Sequence, residues 1–236
     1  MVRWESELIP ILSGAKSKLK AGHEEAVEVA SGYGIADLVF FDFNESVVNE
    51  RIKQNLNPIE HANLIRILIE LDHYSENESI NITLLKKTTP FLKDEIITYL
   101  VKNHFLVKQQ EGDGKPIFKK GVSYRNGLED VIAIEAKLKD WKRGLYQAYR
   151  YRFYADKSYL AIYTKAIATP LKNLDEFKKY NVGLIEVKDS GIKVHFNPKK
   201  EKNLDPYTKA VAYERLLGLQ KGLFPGDQEV TGLIPV

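Results

Sequence analysis

Val131-Ile132-Ala133-Ile134-Glu135-Ala136-Lys137-Leu138 is an apolar run that carries a carboxylate and an ammonium two positions apart. Side chains alternate across a strand, so Glu135 and Lys137 share one face while Ile132, Ile134, Ala136 and Leu138 share the other. Burying such a pair is costly unless something compensates, and a divalent cation with a bound water would do so. A strand end emerging into solvent with an ordinary surface ion pair accounts for the same tripeptide.

Working outward, Ile35-Ala36-Asp37-Leu38-Val39-Phe40-Phe41 repeats the theme, with a single carboxylate in an apolar strand that follows the turn Ser31-Gly32-Tyr33-Gly34. Together with Ala26 to Val29 it reads as a hairpin. Before it, Leu8, Ile11, Leu12, Ala15 and Leu19 predict an amphipathic helix over 4–20. Beyond Gly121 strands are expected over 131–138, 158–163, 182–187 and 192–196. Helices are expected over 141–155, 174–180 and 204–222. This alternation defines an α/β domain. It is interrupted: helices over 59–74, 83–88 and 92–104 precede a hairpin turning at Gly112-Asp113-Gly114-Lys115, the order of a winged helix. The expected division is 1–43 with 126–200 as a discontinuous core, 44–125 as a winged-helix-like insertion, and 201–236 as a C-terminal helix and tail.

Two carboxylates on adjacent strands can hold Mg²⁺ through hard oxygen ligands, which makes Asp37 and Glu135 candidate metal ligands, with the Ala136 carbonyl and waters completing the shell. Lys137 could then orient or deprotonate a metal-bound water for attack on a phosphodiester. Glu5 is a candidate further ligand, directly or through water, or else an ordinary solvent-facing helix glutamate. Glu7 is a weaker substitute.

In order along the chain, Glu5-Ser6-Glu7-Leu8-Ile9, Ser31-Gly32-Tyr33-Gly34-Ile35-Ala36-Asp37 and Ile134-Glu135-Ala136-Lys137 resemble the PD-(D/E)xK nuclease superfamily. The likeness is greatest to archaeal Holliday-junction resolvases. Gln147-Ala148-Tyr149-Arg150-Tyr151 is similar to the Gln-x-x-x-Tyr signature of the exonuclease and recombination-repair branch. The resemblance covers about 1–43 and 126–197, and no proline precedes Asp37. It implies a restriction-endonuclease-like α/β/α core with a mixed sheet. In it Asp37 and Glu135 bind Mg²⁺ or Mn²⁺, Lys137 assists the nucleophilic water, and Gln147 and Tyr151 fix the metal site or the nucleic-acid backbone. The expected activity is hydrolysis of DNA in repair, recombination or restriction, and the likeness to resolvases implies a homodimer. The competing reading is a DNA-binding or regulatory protein that keeps the scaffold without cutting.

Charge adds to this locally rather than globally. The chain of 236 residues carries 35 basic and 32 acidic residues, a net +3 that does not by itself announce a nucleic-acid partner. Between Lys139 and Lys157, however, six cations face two aspartates, for a local +4, and six aromatic residues are interleaved with them. Such a segment suits a single-stranded or distorted nucleic acid, with Arg143, Arg150 and Arg152 as phosphate contacts and about half of the rings in the core; the expected partner overall is DNA, whether single-stranded, branched or duplex. Residues 58–125 hold ten cations and nine acids. The helix opening Lys93-Asp94-Glu95 would repel phosphate, whereas Lys115, Lys119, Lys120 and Arg125 gather at the hairpin, leaving DNA contact and protein docking both open.

Several classes are excluded. With no cysteine there is no disulfide scaffold, thiol nucleophile or cysteine zinc site. The five histidines lack metal-clamp spacing, no Gly-x-Ser-x-Gly elbow exists, and Gly32 and Gly34 lack the third glycine and helix of a dinucleotide site. Neither a signal peptide nor a membrane span is expected, which points to the cytoplasm and to no membrane partner.

Overall fold

The computed structural model describes residues 2–75, 78–110, 116–202 and 204–220. It separates into two units, one made of Met1–Asn44 and Gly127–Leu219, the other built on Glu45–Asn126.

The N-terminal stretch is not the single helix its periodicity predicts. A 3₁₀ turn over Glu5–Leu8 leads into α1 (Ile9–Ser13) and α2 (Lys16–Leu19). Pro10 sits in the first turn of α1, where its missing N–H breaks no helical bond. Ala15, with φ −105 and ψ 12, leaves the helical region and separates the two segments. The amphipathic pattern survives the break, since Leu8, Leu12, Ala15 and Leu19 all enter one buried cluster. Then β1 (Glu24–Ala30) and β2 (Ile35–Phe43) pair antiparallel. Gly32 (φ 90) and Gly34 (φ 143) take backbone conformations in the intervening turn that side-chain-bearing residues rarely adopt.

The second unit runs α3 (Glu45–Lys53), α4 (Ala62–Leu71), β3 (Ser79–Ile80), α5 (Ile82–Thr88), α6 (Asp94–Lys102), β4 (Leu106–Gln110) and β5 (Pro116–Lys120). Leu64, Ile65 and Leu68 of α4 and Ile96, Ile97 and Leu100 of α6 point inward, as their spacing predicts. Asn81 caps α5 by accepting from the Leu84 N–H at 3.0 Å. The strands form an antiparallel sheet in the order β3-β5-β4. Helix α3 has no counterpart in the expected elements, because Val47 and Val48 alone do not establish a 3.6-residue period. The turn Gly112 to Lys115 lies outside the described residues.

The chain returns to the first unit with β6 (Leu128–Lys137), α7 (Trp141–Tyr151), β7 (Lys157–Tyr163), α8 (Ala168–Lys172), α9 (Leu174–Tyr180), β8 (Gly183–Lys188), β9 (Gly191–Phe196) and α10 (Pro206–Leu219). The result is an α/β unit with a mixed six-stranded sheet, ordered β1-β2-β6-β7-β8-β9. Strands β6, β7 and β8 are parallel to one another, and the outer pairings are antiparallel. Ile132, Ile134 and Ala136 pack with Leu38, Phe40, Tyr159 and Ile185 against Leu8, Leu12 and Leu19. On the opposite face Leu160, Ile162 and Leu184 meet Trp141, Leu145, Ala148 and Phe177. Glu135 and Lys137 therefore project toward α7. Helix α10 belongs to this unit rather than to a separate tail: Tyr213 is buried and its ring meets Phe43 at 5.8 Å. Residues 221–236 lie outside the described residues. Among the described residues no helix is long and apolar enough to cross a membrane.

Candidate active site

The site begins where two strands part. Leu38 pairs with Ile134 across β2 and β6, and one further step of that register sets Asp37 opposite Glu135. There the backbone ladder stops. Asp37 Oδ2 accepts the Ala136 main-chain N–H at 2.7 Å in its place. Partial burial raises the pKa of Asp37, and the Ala136 N–H and the Lys137 charge oppose that rise without cancelling it.

Glu135 is 1% exposed. Its Oε1 accepts from Lys137 Nζ at 2.5 Å, and Nζ also reaches the Ala136 carbonyl at 3.2 Å and Glu5 Oε2 at 3.4 Å. The other Glu5 oxygen accepts from Leu138 N at 3.2 Å, which ties the N-terminal 3₁₀ turn to the end of β6. Burial is the main influence raising the pKa of Glu135; Lys137 and Tyr151 counter it, and the nearby Asp37 charge adds to it. Burial alone would favour a neutral Lys137, but its hydrogen bond to Glu135 and the charges of Glu135, Asp37 and Glu5 outweigh that, so its pKa ends above the usual lysine value.

Helix α7 supplies the roof. Asp140 caps it by accepting from Arg143 N at 3.2 Å. It lies close on the sheet because residue 144 is glycine: a Cβ there would stand 2.6 Å from Leu160 Cδ1 and 2.9 Å from Lys137 Cγ. Tyr151 is buried, and its hydroxyl contacts both the Ile35 carbonyl, at 2.6 Å, and Glu135 Oε2. It thus bridges β2 and β6 beyond the point where their ladder ends. Burial and the Glu135 charge push the Tyr151 pKa up, which keeps it a phenol. Gln147 precedes Tyr151 by one helical turn and so lies on the same side of α7. Its Oε1 is buried and has no hydrogen-bond partner among the described residues.

Asp37, Glu135, Ala136, Lys137, Tyr151 and Glu5 are thus joined by direct contacts. The remaining candidates fall elsewhere. Arg143 is exposed and Arg150 half-buried on the outer side of α7. The Arg152 guanidinium is paired with Glu201 and donates to the Tyr180 carbonyl at 2.6 Å, so the fold itself engages it. In the second unit Lys119 lies opposite Val107 and Ser79 in the sheet, and the Lys120 side chain, 8% exposed, pairs with Asp72 at 3.3 Å. Glu7 accepts from the Arg3 N–H at 2.9 Å and takes no part in the constellation.

One contributor escaped sequence reasoning. The β1–β2 ladder runs from Val27–Leu38 to Val29–Ala36, skipping the position where Glu28 faces Asp37. Glu28 has φ 53, a left-handed conformation unusual for a side-chain-bearing residue, and its charge helps raise the Asp37 pKa. A left-handed glutamate inside a strand leaves no trace in composition or spacing.

Among the described residues no group of three or more histidine or acidic side chains is gathered as a metal cluster. The available donors are the Asp37 and Glu135 carboxylates, the Ala136 carbonyl and the orphaned Gln147 Oε1. All are hard oxygens, the donor type that Mg²⁺ or Mn²⁺ takes. Compared with family models, with curated proteins and with solved structures, the chain matches none.

Proposed function

We propose that the first unit is a metal-dependent deoxyribonuclease on a restriction-endonuclease-like α/β/α core of the PD-(D/E)xK kind. The observation that carries this reading is the Asp37 carboxylate seated on the Ala136 N–H, beside the buried Glu135–Lys137 pair. A strand end with a harmless surface ion pair would have left Glu135 in solvent and Asp37 elsewhere.

When bound, Mg²⁺ or Mn²⁺ would supply Lewis acidity to a water and to the scissile phosphate. Asp37, Glu135 and the Ala136 carbonyl would hold the ion, with Gln147 Oε1 as a further oxygen. Lys137, hydrogen-bonded to Glu135, would orient the attacking water and offset the negative charge that builds on the phosphate. Glu5 holds the Lys137 ammonium in place from the N-terminal turn. Tyr151 holds the second oxygen of Glu135 and, through the Ile35 carbonyl, keeps β2 beside β6. In the inserted unit, the succession of helix, strand, two helices and hairpin, with the sheet order β3-β5-β4, supports a winged helix that contributes to substrate positioning.

The test is Mg²⁺- or Mn²⁺-dependent cleavage of plasmid, single-stranded and branched DNA by the wild type, Asp37→Ala and Lys137→Ala. Loss of cleavage in both variants is expected, by about 10²-fold or more for Lys137→Ala. Activity unchanged in both would reject the assignment. DNA binding without metal-stimulated cleavage on any substrate would select the non-catalytic scaffold instead.

A further inference from the structure

We infer that the outer face of α7 is a track for an unpaired nucleic-acid strand, with phosphates on Arg143 and Arg150 and bases stacked on Tyr146 and on the Phe153–Tyr33 pair. The inference rests on the nuclease reading and names its substrate class. Arg143, Tyr146, Arg150 and Phe153 follow one another at steps of three, four and three, which places them along one stripe of a helix and its C-terminal turn. Cation and ring alternate along it.

The rings are not spare core. Tyr146 is 63% exposed and Phe153 38%, whereas Trp141, Leu145, Ala148 and Tyr151 of the same helix are buried against the sheet. The Arg150 guanidinium lies 5.9 Å from the Tyr146 ring centroid. Phe153 and Tyr33 stack with centroids 4.8 Å apart and planes 28° from parallel, and Tyr33 is itself 41% exposed. That pair stands at the rim of the site: Tyr33 is next to Gly34, whose Cβ position is 3.5 Å from Tyr151 Cε1, and Phe153 follows Tyr151 by two residues. Arg143 and Arg150 form no ion pair with the described residues, unlike Arg152 on the inner side. Solvent-facing rings beside uncommitted guanidiniums match a ligand that offers flat apolar faces and regularly spaced anions together. A single strand has both, whereas a duplex hides its base faces and an acidic peptide lacks them.

The test is anisotropy binding by the full chain in EDTA, which prevents metal-dependent cleavage, of a fluorescein-labelled single strand, the same sequence as duplex, and a poly-glutamate peptide. The single strand should bind at least about tenfold tighter than the duplex. Tyr146→Ala and Phe153→Ala should each weaken single-strand binding by about tenfold, with Tyr146→Phe close to wild type. Arg143→Ala and Arg150→Ala should each reduce the slope of log affinity against log salt by about 0.7. Equal affinity for strand and duplex, preference for the peptide, indifference to both ring deletions, or no nucleic-acid binding would overturn the track. Metal-dependent plasmid cleavage persisting beside such a result would leave the nuclease reading standing. Ring-dependent strand binding without any cleavage would remove the nuclease reading and keep the track.

Discussion

The carboxylate of Asp37 accepts the main-chain N–H of Ala136 at 2.7 Å, a contact between residues 99 positions apart in the chain. A side chain here does what the next rung of the β2–β6 ladder would otherwise do. It satisfies a buried donor, and it holds a carboxylate against the strand that carries Glu135 and Lys137. The strands can therefore part without leaving the Ala136 N–H unpaired.

The first prediction follows from the raised pKa of Asp37, which means that its ionised form is less favourable folded than unfolded. Such a group gives most stability below its unfolded pKa, and that stability is lost as pH rises through the higher folded value. Asp37→Asn keeps an acceptor for Ala136 N–H and removes the charge. In EDTA at pH 7–8 its thermal midpoint should equal or exceed that of the wild type, and with Mg²⁺ or Mn²⁺ added its cleavage should fall to background. Asp37→Ala should cost about 1–2 kcal/mol, because the Ala136 N–H loses its partner. An Asp37→Asn protein clearly less stable than the wild type at these pH values would contradict the assignment of the cost to charge burial.

Glu28 concerns the same carboxylate from the other side. Its left-handed backbone at φ 53 carries a steric penalty that glycine does not. Glu28→Gly should therefore stabilise the protein by up to about 1 kcal/mol in denaturant unfolding. Glu28→Gln removes a charge that raises the Asp37 pKa, so the acidic limb of the pH–cleavage profile should move to lower pH. A limb that stays in place would separate Glu28 from the site.

Gly144 tests the packing of α7. At an exposed helix position, glycine to alanine gains up to about 1 kcal/mol. Here the new methyl group would meet Leu160 in the core and the stem of Lys137 at 2.9 Å. Gly144→Ala should instead lose about 1–3 kcal/mol and lower kcat through displacement of Lys137. A stabilised variant with full activity would mean that α7 shifts freely.

Glu186 lies away from these contacts. Thr164 Oγ1 donates to its Oε1 at 2.6 Å, and His195 Nε2 lies 2.9 Å from its Oε2. Burial pulls the Glu186 pKa up, but the Thr164 and His195 hydrogen bonds and the Lys188 charge prevail, and it ends below the ordinary 4.5. The stability this gives is present above pH 4.5 and disappears as pH falls through the lowered value. Glu186→Gln should be less stable than wild type by about 1 kcal/mol at pH 7, with the difference closing in acid. A gap independent of pH would assign the loss to packing.

Much of the scaffold is written in local patterns. Apolar runs over Ile35 to Phe41 and Val131 to Leu138, broken only by the acids and the amine of the site, mark two strands covered on both faces, and the inward residues of α4, α6 and α7 follow a helical period. Such runs and repeats report how much of an element meets apolar neighbours, a property each segment carries alone. The boundaries were less legible. Ala15 breaks the first helix through its backbone geometry, and α3 forms without a clear period of its own. The joining of Asp37, Glu135 and Lys137 in one site was expected from two strands and the resemblance, but the contacts that make it were not. That Asp37 caps Ala136, that Tyr151 spans Ile35 and Glu135, that Glu28 turns left-handed beside Asp37, and that Arg152 is engaged by Glu201 while Arg143 is left to solvent were decided by tertiary structure. Each joins side chains or backbone groups far apart in the chain, and hydrogen bonds of that kind act over about 3 Å, so only folding brings their partners into range.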